Sequence, residues 1–258
     1  MDARLDFPES PPLRKSYVVA SSYRSGSTYF CSRLWSTGVL GAPAEYLNVG
    51  VGRMLRHVME SRLQATSPED YFAKLLACRT SSNGVFGMKA HYHHFEEALD
   101  WCPSMIELLS PVTYIYICRR DSVAQAVSMA KAMQTNRWSS MDAEVETDLR
   151  YDEFLIAQCL EEVQRQKIGW LRWFELNNIT PFVLSYEDLI ANAAGAVASV
   201  LKLLDVQGDE ASEIYPPEVQ KLGDATNIEW AARFRGESLR ASSWRRSPST
   251  SLEWMLDV

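Results

Sequence analysis

The residues of this chain whose types and spacing could do chemistry begin with a loop of small residues. Residues 21–28 have the sequence Ser-Ser-Tyr-Arg-Ser-Gly-Ser-Thr and lie between the apolar run 17–20 and a segment, 29–35, that is typical of a helix. Backbone N–H groups and the helix dipole attract anions at such a position. The loop departs from the G-x-x-x-x-G-K-[ST] pattern of nucleoside-triphosphate sites, because Ser21 replaces the first glycine and Arg24 is its only cation. We therefore predict a phosphate-type site without ATP hydrolysis.

A second anion-binding candidate follows the most apolar strand of the sequence. Arg119 comes directly after the run 112–118, and Ser128 lies further on, in a predicted helix. An arginine at the carboxyl end of a buried strand can hold a phosphate through paired hydrogen bonds, and the serine could complete that site. The alternative is a surface ion pair between Arg119 and Asp121, with Ser128 solvated. The residues alone leave both open.

Glu45 is the candidate general base. It lies in an irregular segment after the first helix, beside Pro43. A carboxylate that faces the anion site could take a proton from an attacking hydroxyl group. The alternative is a solvated loop carboxylate, which is the usual state of glutamate.

Three histidines, His91, His93 and His94, form an H-x-H-H cluster after Lys89. Neither paired cysteines nor an H-E-x-x-H motif accompanies them, so metal ligation is not indicated. We expect ordinary loop histidines, of which His91 could face an acceptor.

Two groups of tryptophans differ in their surroundings. Trp170 and Trp173 lie at a helical spacing, which is typical of a core. Trp138 and Trp230 lie in polar, loop-like contexts, so ligand stacking is an open question for them.

The elements that must position these residues alternate between strands and helices. Apolar runs predict strands at 17–20, 84–89, 112–118 and 181–184. Helical periodicity and capping residues predict helices at 29–35, 52–63, 68–78, 121–133, 151–176 and 193–204. This order predicts an α/β fold with a central, mainly parallel sheet flanked by helices. Ligand sites in such sheets lie at the carboxyl ends of strands, where the loops after Ala20, Lys89 and Cys118 begin.

Composition limits the classes of function. The 258 residues, 47% of them hydrophobic, are enough for one domain, with a core at about 16–236 and a loosely ordered tail at 237–258. A net charge of −7 argues against broad binding of nucleic acid or anionic membranes. No apolar run is long enough for a transmembrane segment, the N-terminus lacks the features of a signal peptide, and the five cysteines are scattered and unpaired in pattern. We therefore expect a cytoplasmic protein.

In their order along the chain, these motifs resemble those of sulfotransferases that use 3′-phosphoadenosine-5′-phosphosulfate (PAPS). The bacterial trehalose 2-sulfotransferase family is the most similar. The matching stretches are 22–28, the T-G-V-L-G-A-P-A-E-Y sequence at 37–46, 83–89, 125–128, 134–138, and Glu229-Trp230 with Arg233 and Arg235. The order is kept from about residue 16 to residue 235. Residues 49–65, which follow Glu45, do not align with the family and are expected to shape the acceptor site.

The resemblance implies a P-loop-like sulfotransferase fold, a possible homodimer, and sulfuryl transfer from PAPS to a hydroxyl group of a carbohydrate or glycolipid, trehalose-like among them. It implies Glu45 as the general base. Sulfuryl transfer resembles phosphoryl transfer, an in-line displacement in which Arg24 and Lys89 would stabilise the charge that develops. No metal ion is expected.

The resemblance also assigns the nucleotide contacts. Residues of the first loop bind the 5′-phosphosulfate: Ser22, Tyr23, Arg24, Ser25, Gly26, Ser27 and Thr28. Arg119 and Ser128 bind the 3′-phosphate, and Arg120, at a position where the family often has proline, is an alternative to Arg119. Arg233 and Arg235 lie in the region that closes over the nucleotide. A P-loop kinase or NTPase and a nucleotide-binding module without catalysis are the competing interpretations.

Overall fold

A parallel sheet of four strands forms the centre of the protein in the computed structural model, which describes residues 5–7, 11–49, 55–140, 142, 148–208 and 224–243. The strands are β1 (Lys15–Ser21), β2 (Val85–His91), β3 (Val112–Cys118) and β4 (Phe182–Ser185), and their order in the sheet is β2-β1-β3-β4. All three strand pairs are parallel. The predicted α/β class with a central parallel sheet is confirmed.

Helices connect and flank these strands. Those described are α1 (Ser27–Ser36), α2 (Leu55–Leu63), α3 (Pro68–Arg79), α4 (Tyr92–Trp101), α5 (Met105–Leu109), α6 (Ser122–Thr135), α7 (Glu153–Leu176), α8 (Tyr186–Ala191), α9 (Ala193–Leu203) and α10 (Ala225–Ser243). Within the described ranges, no helix combines the length and the apolar character needed to cross a bilayer.

Both faces of the sheet are buried, because side chains alternate between the faces along each strand. Val18 and Ala20 of β1 belong to a core cluster that includes aromatic residues of α4 and α7. Tyr17 and Val19 belong to a second cluster, formed with α1 and α9. A third cluster lies among α6, α7 and α10. The loops at the carboxyl end of the sheet are thus supported by packed helices on each side.

Capping residues set the start of several helices as the sequence predicts. The Asp121 carboxylate accepts a hydrogen bond from the Ala124 N–H (2.9 Å) at the start of α6. The Ser67 hydroxyl accepts a hydrogen bond from the Asp70 N–H (3.1 Å) at the start of α3, whose first residue is Pro68. Each bond satisfies an N–H group that has no acceptor within its own helix.

Four helices were not predicted, namely α4, α5, α8 and α10. Ser27 and Thr28, predicted as loop, form the first turn of α1. Trp230 does not lie in a loop open to a ligand, because it is 5% exposed in α10 and packs in the third cluster. The predicted loose tail begins as helix, since α10 continues to Ser243, and the rest of that tail lies outside the described residues.

Candidate active site

The loop between β1 and α1 has the conformation of an anion site. Arg24 and Gly26 have positive φ angles, of 60° and 86°. A side chain at Gly26 would collide with Tyr186, because a Cβ atom there would lie 2.6 Å from a ring carbon. Gly26 is also the N-cap of α1 and offers no side chain to the N–H groups of the first turn. Those groups have no acceptor within the helix, so the loop suits an anion.

Two buried side chains hold this loop. Gln125 of α6 is fully buried, and its Nε2 donates to the Ser22 hydroxyl (2.9 Å) and to the Tyr23 carbonyl (2.5 Å). The indole N–H of Trp170 donates to the Ser21 carbonyl (2.9 Å). Sequence reasoning gave Gln125 no role of its own. The sequence offered one signal for this role, which is that Gln125 directly precedes the apolar residues 126–127 of α6 and so could be buried with them.

The structure brings together Arg24 and Ser128, which are 104 residues apart in the chain. The Arg24 Nε donates to the Ser128 hydroxyl (3.1 Å), and its Nη1 donates to the Trp138 carbonyl. The Tyr23 hydroxyl lies 3.0 Å from the His93 Nε2. The first loop and α6 therefore share one polar surface, as expected if both contact one ligand.

Arg119 does not form the surface ion pair that was its alternative interpretation. Its guanidinium lies over the ring of Tyr186, 4.7 Å from the ring centre. Within the described residues, its buried Nε has no hydrogen-bond partner. Asp121 pairs instead with Arg235, whose Nη2 lies 2.5 Å from its carboxylate. An arginine that is half-buried and has an unused donor is suited to an anionic ligand.

The other predicted arginines have different surroundings. Arg120 is exposed and pairs with Asp188 at 2.6 Å. Arg235 lies at the start of α6, because it pairs with Asp121, which follows Arg119 closely in the sequence. Arg233 lies over the Tyr151 ring at 3.7 Å and donates to Glu237 (2.9 Å). These contacts connect Arg235, but not Arg233, to the site.

Glu45 is not a solvated loop carboxylate. Its side chain is 15% exposed, and its Oε1 forms an ion pair with the Lys89 ammonium, which is 4% exposed. Lys89 also donates to the Thr28 hydroxyl of α1 (2.8 Å). Asn48 donates to the other oxygen of Glu45, Oε2 (2.6 Å). The candidate base, a candidate cation and the anion loop are therefore directly connected.

The register of the sheet explains why Glu45, Lys89 and Thr28 lie in contact. Ser21, at the end of β1, is level with His91 of β2 and Ile117 of β3. The residues that follow these strands therefore meet at one edge of the sheet. The segment that carries Glu45 is fixed to β2 by a hydrogen bond from the Lys89 N–H to the Ala44 carbonyl (2.9 Å).

Charge and burial set the ionisation of this cluster. Burial raises the pKa of Glu45, but the Lys89 ammonium, His91 and the hydrogen bonds from Lys89 and Asn48 outweigh it and hold that pKa well below its usual range. Burial lowers the pKa of His91 to about 3, against an opposing effect of Glu45. At neutral pH the site therefore holds an ionised Glu45 beside a neutral His91.

The prediction of ordinary loop histidines is wrong. His91 ends β2, while His93 and His94 lie in the first turn of α4. His91 and His94 are 3% and 2% exposed, and the Tyr23 ring lies 4.4 Å from that of His91. They are buried because α4 packs against the sheet directly after β2. In the part of the chain that the structure describes, no group of three or more potential ligands is placed to hold a metal ion.

Comparison with known proteins identifies a family. Residues 16–237 match the family model described as Stf0 sulphotransferase. Trehalose 2-sulfotransferase of Mycolicibacterium smegmatis is 26% identical over 87% of this chain and 96% of its own length. The protein of that name from Mycobacterium tuberculosis is 26% identical over 88% of this chain and 96% of its own. The sulfotransferase domain of the Synechococcus PCC 7002 olefin synthase superposes with a TM-score of 0.47 and 16% identity, over 94% of this chain and 98% of its own.

Proposed function

The chain belongs to the Stf0 sulphotransferase family and is a sulfotransferase, and we propose that it transfers the sulfuryl group of PAPS to a hydroxyl group of a carbohydrate. One observation carries the proposal. Lys89 connects Glu45 to Thr28, the residue that ends the anion loop. A base, a cation and an anion site in contact are what sulfuryl transfer to a hydroxyl requires.

We propose that two parts of the site bind the donor. Residues of the first loop hold the 5′-phosphosulfate: Ser22, Tyr23, Arg24, Ser25, Gly26, Ser27 and Thr28. Arg119 and Ser128 hold the 3′-phosphate. Arg119 is preferred to Arg120 because its Nε is unused and buried, whereas Arg120 pairs with Asp188 at the surface. We propose that Arg235, which pairs with Asp121 at the start of α6, assists in binding the nucleotide, and that Arg233 supports α10 through its contact with Tyr151.

In the proposed reaction, Glu45 accepts the proton of the acceptor hydroxyl as the acceptor oxygen attacks sulfur. The new O–S bond forms while the S–O bond to the 5′-phosphate breaks. The electron pair of that bond leaves with 3′-phosphoadenosine 5′-phosphate (PAP). Lys89, Arg24 and the N–H groups of the first turn of α1 stabilise the negative charge that collects on the leaving phosphate.

The acceptor is proposed to be a carbohydrate or glycolipid, with trehalose first because both curated relatives carry it in their names. Residues 49–65 follow Glu45 directly and are proposed to shape the acceptor site. The helix α2 (Leu55–Leu63) lies in this segment, and residues 50–54 lie outside the described part. A homodimer remains a prediction that sedimentation would check.

The variant Glu45→Gln tests the proposed base. It keeps the size and shape of the side chain, but its amide cannot accept a proton, so turnover is expected to fall by about two to four orders of magnitude. The assay follows transfer of label from radiolabelled PAPS to trehalose and to a set of other sugars. Circular dichroism shows that the variant is folded. Turnover at the wild-type rate would remove Glu45 as the base.

Calorimetry separates this function from its competitors. We expect PAP to bind and ATP, which lacks a 3′-phosphate, to bind far more weakly. A kinase or NTPase would show the opposite preference. A nucleotide-binding module would bind PAP but transfer no label to any acceptor.

A further inference from the structure

Lys89 has two partners that lie on opposite sides of the proposed reaction. Its Nζ is 2.8 Å from the Thr28 hydroxyl, which belongs to the donor site, and forms an ion pair with the Glu45 carboxylate, which is the proposed base. Its position in β2 explains this. Lys89 is level with Val19 of β1, whose side chain packs on the face that α1 covers. One buried cation therefore serves two anionic sites.

Glu45 is fully engaged in this state. Oε1 is paired with Lys89 and lies 3.7 Å from the His91 Nε2, and Oε2 accepts from Asn48. The other ionisable groups whose charge couples to Glu45 are Tyr23 of the loop, Cys31 of α1 and His94 of α4. Among the described residues whose charge acts on Glu45, Lys89 carries the ammonium group and has the largest charge effect in lowering the pKa of Glu45.

We propose that donor binding draws the Lys89 ammonium from Glu45 to the phosphosulfate, so that Glu45 acts as a base only in the donor-loaded enzyme. This inference rests on the proposed function. The phosphosulfate carries more negative charge than one carboxylate. The Lys89 side chain is flexible, and its ammonium already contacts Thr28 of the donor site. A buried carboxylate that loses its cation becomes a stronger base, and an acceptor hydroxyl then replaces the lost hydrogen bond.

The same geometry makes the base and the donor compete for one cation. Competition of this kind is a coupling free energy, and such a coupling is reciprocal. Removal of the charge at Glu45 must therefore strengthen donor binding, provided that Lys89 is present. A cation that served only to stabilise Glu45 would give no such effect.

The test is a double-mutant cycle on PAPS affinity, measured by calorimetry without acceptor. We expect Glu45→Gln to bind PAPS about fivefold tighter than the wild type, or more, and Lys89→Met to bind it more weakly. In the Lys89→Met background, Glu45→Gln is expected to change the affinity little. Equal affinity of the wild type and Glu45→Gln would overturn the inference, as would a gain that persists without Lys89.

A matched control separates charge from local disturbance. Asn48→Ala removes the hydrogen bond to the other oxygen of Glu45 but leaves the charge and the Lys89 pair, so PAPS affinity should not increase. If Lys89→Met fails to fold, Lys89→Gln replaces it. Failure of the proposed function is distinguishable, because the wild type would then bind no PAPS or transfer no sulfuryl group, whereas failure of this inference leaves both intact.

Discussion

At the scale of single residues, Arg119 and Arg120 show how neighbours of equal charge receive different roles. Arg119 follows Cys118, which is level with Ser185 of β4, so Arg119 and Tyr186 leave neighbouring strands side by side. The ring of Tyr186 therefore supports the guanidinium of Arg119 at 4.7 Å. Arg120, one residue further, is turned to solvent and to Asp188. The contact with Tyr186 and the Nε without a partner in the described residues are why we propose Arg119 for the 3′-phosphate.

Arg119→Gln is expected to lower PAP affinity roughly tenfold to a hundredfold, as for the loss of hydrogen bonds between charged groups. Adenosine 5′-monophosphate lacks the 3′-phosphate, so its affinity should be unchanged. Calorimetry with both nucleotides measures the difference. Arg120→Gln is the matched control and should affect neither; an equal loss in both variants would contradict the assignment to Arg119.

At the scale of elements, the junction of β2 and α4 buries imidazoles beside the base. His94 lies in the first turn of α4 and is 2% exposed. Burial lowers the pKa of His94 to about 3, and His93 and His91 act in the same direction. Its folded form is therefore neutral at neutral pH, whereas in the unfolded chain it takes up a proton below about pH 6.5.

This difference in the pKa of His94 makes stability depend on pH. Since the unfolded chain binds the additional proton, the stabilisation is complete above about pH 6.5 and is lost as the pH falls toward 3. One such group changes the free energy of unfolding by up to ~1.4 kcal/mol per pH unit in this interval. We therefore expect the free energy of unfolding of His94→Gln, measured by urea unfolding between pH 7 and 5, to depend less on pH than that of the wild type, by about one proton. Parallel slopes would contradict the neutral, buried state of His94.

At the scale of the whole molecule, α10 contacts the candidate site from a distant part of the sequence. Trp230 and Phe234 pack against α6 and α7 in the third cluster, and the Trp230 ring meets that of Tyr151 edge-on at 5.8 Å. This packing places Arg235 beside Asp121, at the start of the helix that carries Ser128. Both α10 and the first loop therefore contact α6.

Trp230→Ala is expected to lower the free energy of unfolding by ~3–5 kcal/mol, as for the removal of a large aromatic side chain from a core. Ile228→Ala, two residues away on the same helix, is the control. Its side chain is 75% exposed, so a change within about 0.5 kcal/mol is expected. Urea unfolding measures both. Similar losses in the two variants would show that α10 does not pack as described.

The sequence by itself determined the features that depend on neighbours in the chain. Strands came from apolar runs, helix starts from caps such as Asp121, and the anion loop from small residues between a strand and a helix. These features follow from local hydrogen bonding and from the alternation of side chains along a strand. The order of Arg24, Glu45 and Arg119 along the chain then carried the family resemblance.

Only the tertiary structure decided which of these residues touch. No local pattern shows that Lys89 joins Glu45 to Thr28, that Gln125 holds the loop, or that Arg119 rather than Arg120 meets Tyr186. Nor does one show that His91 and His94 are buried. These contacts depend on strand order and register, which bring residues 61 and 104 positions apart to one edge of the sheet. Burial and neighbouring charges at this edge shift the pKa values of Glu45 and His91, and these pKa values determine which side chain is ionised at neutral pH.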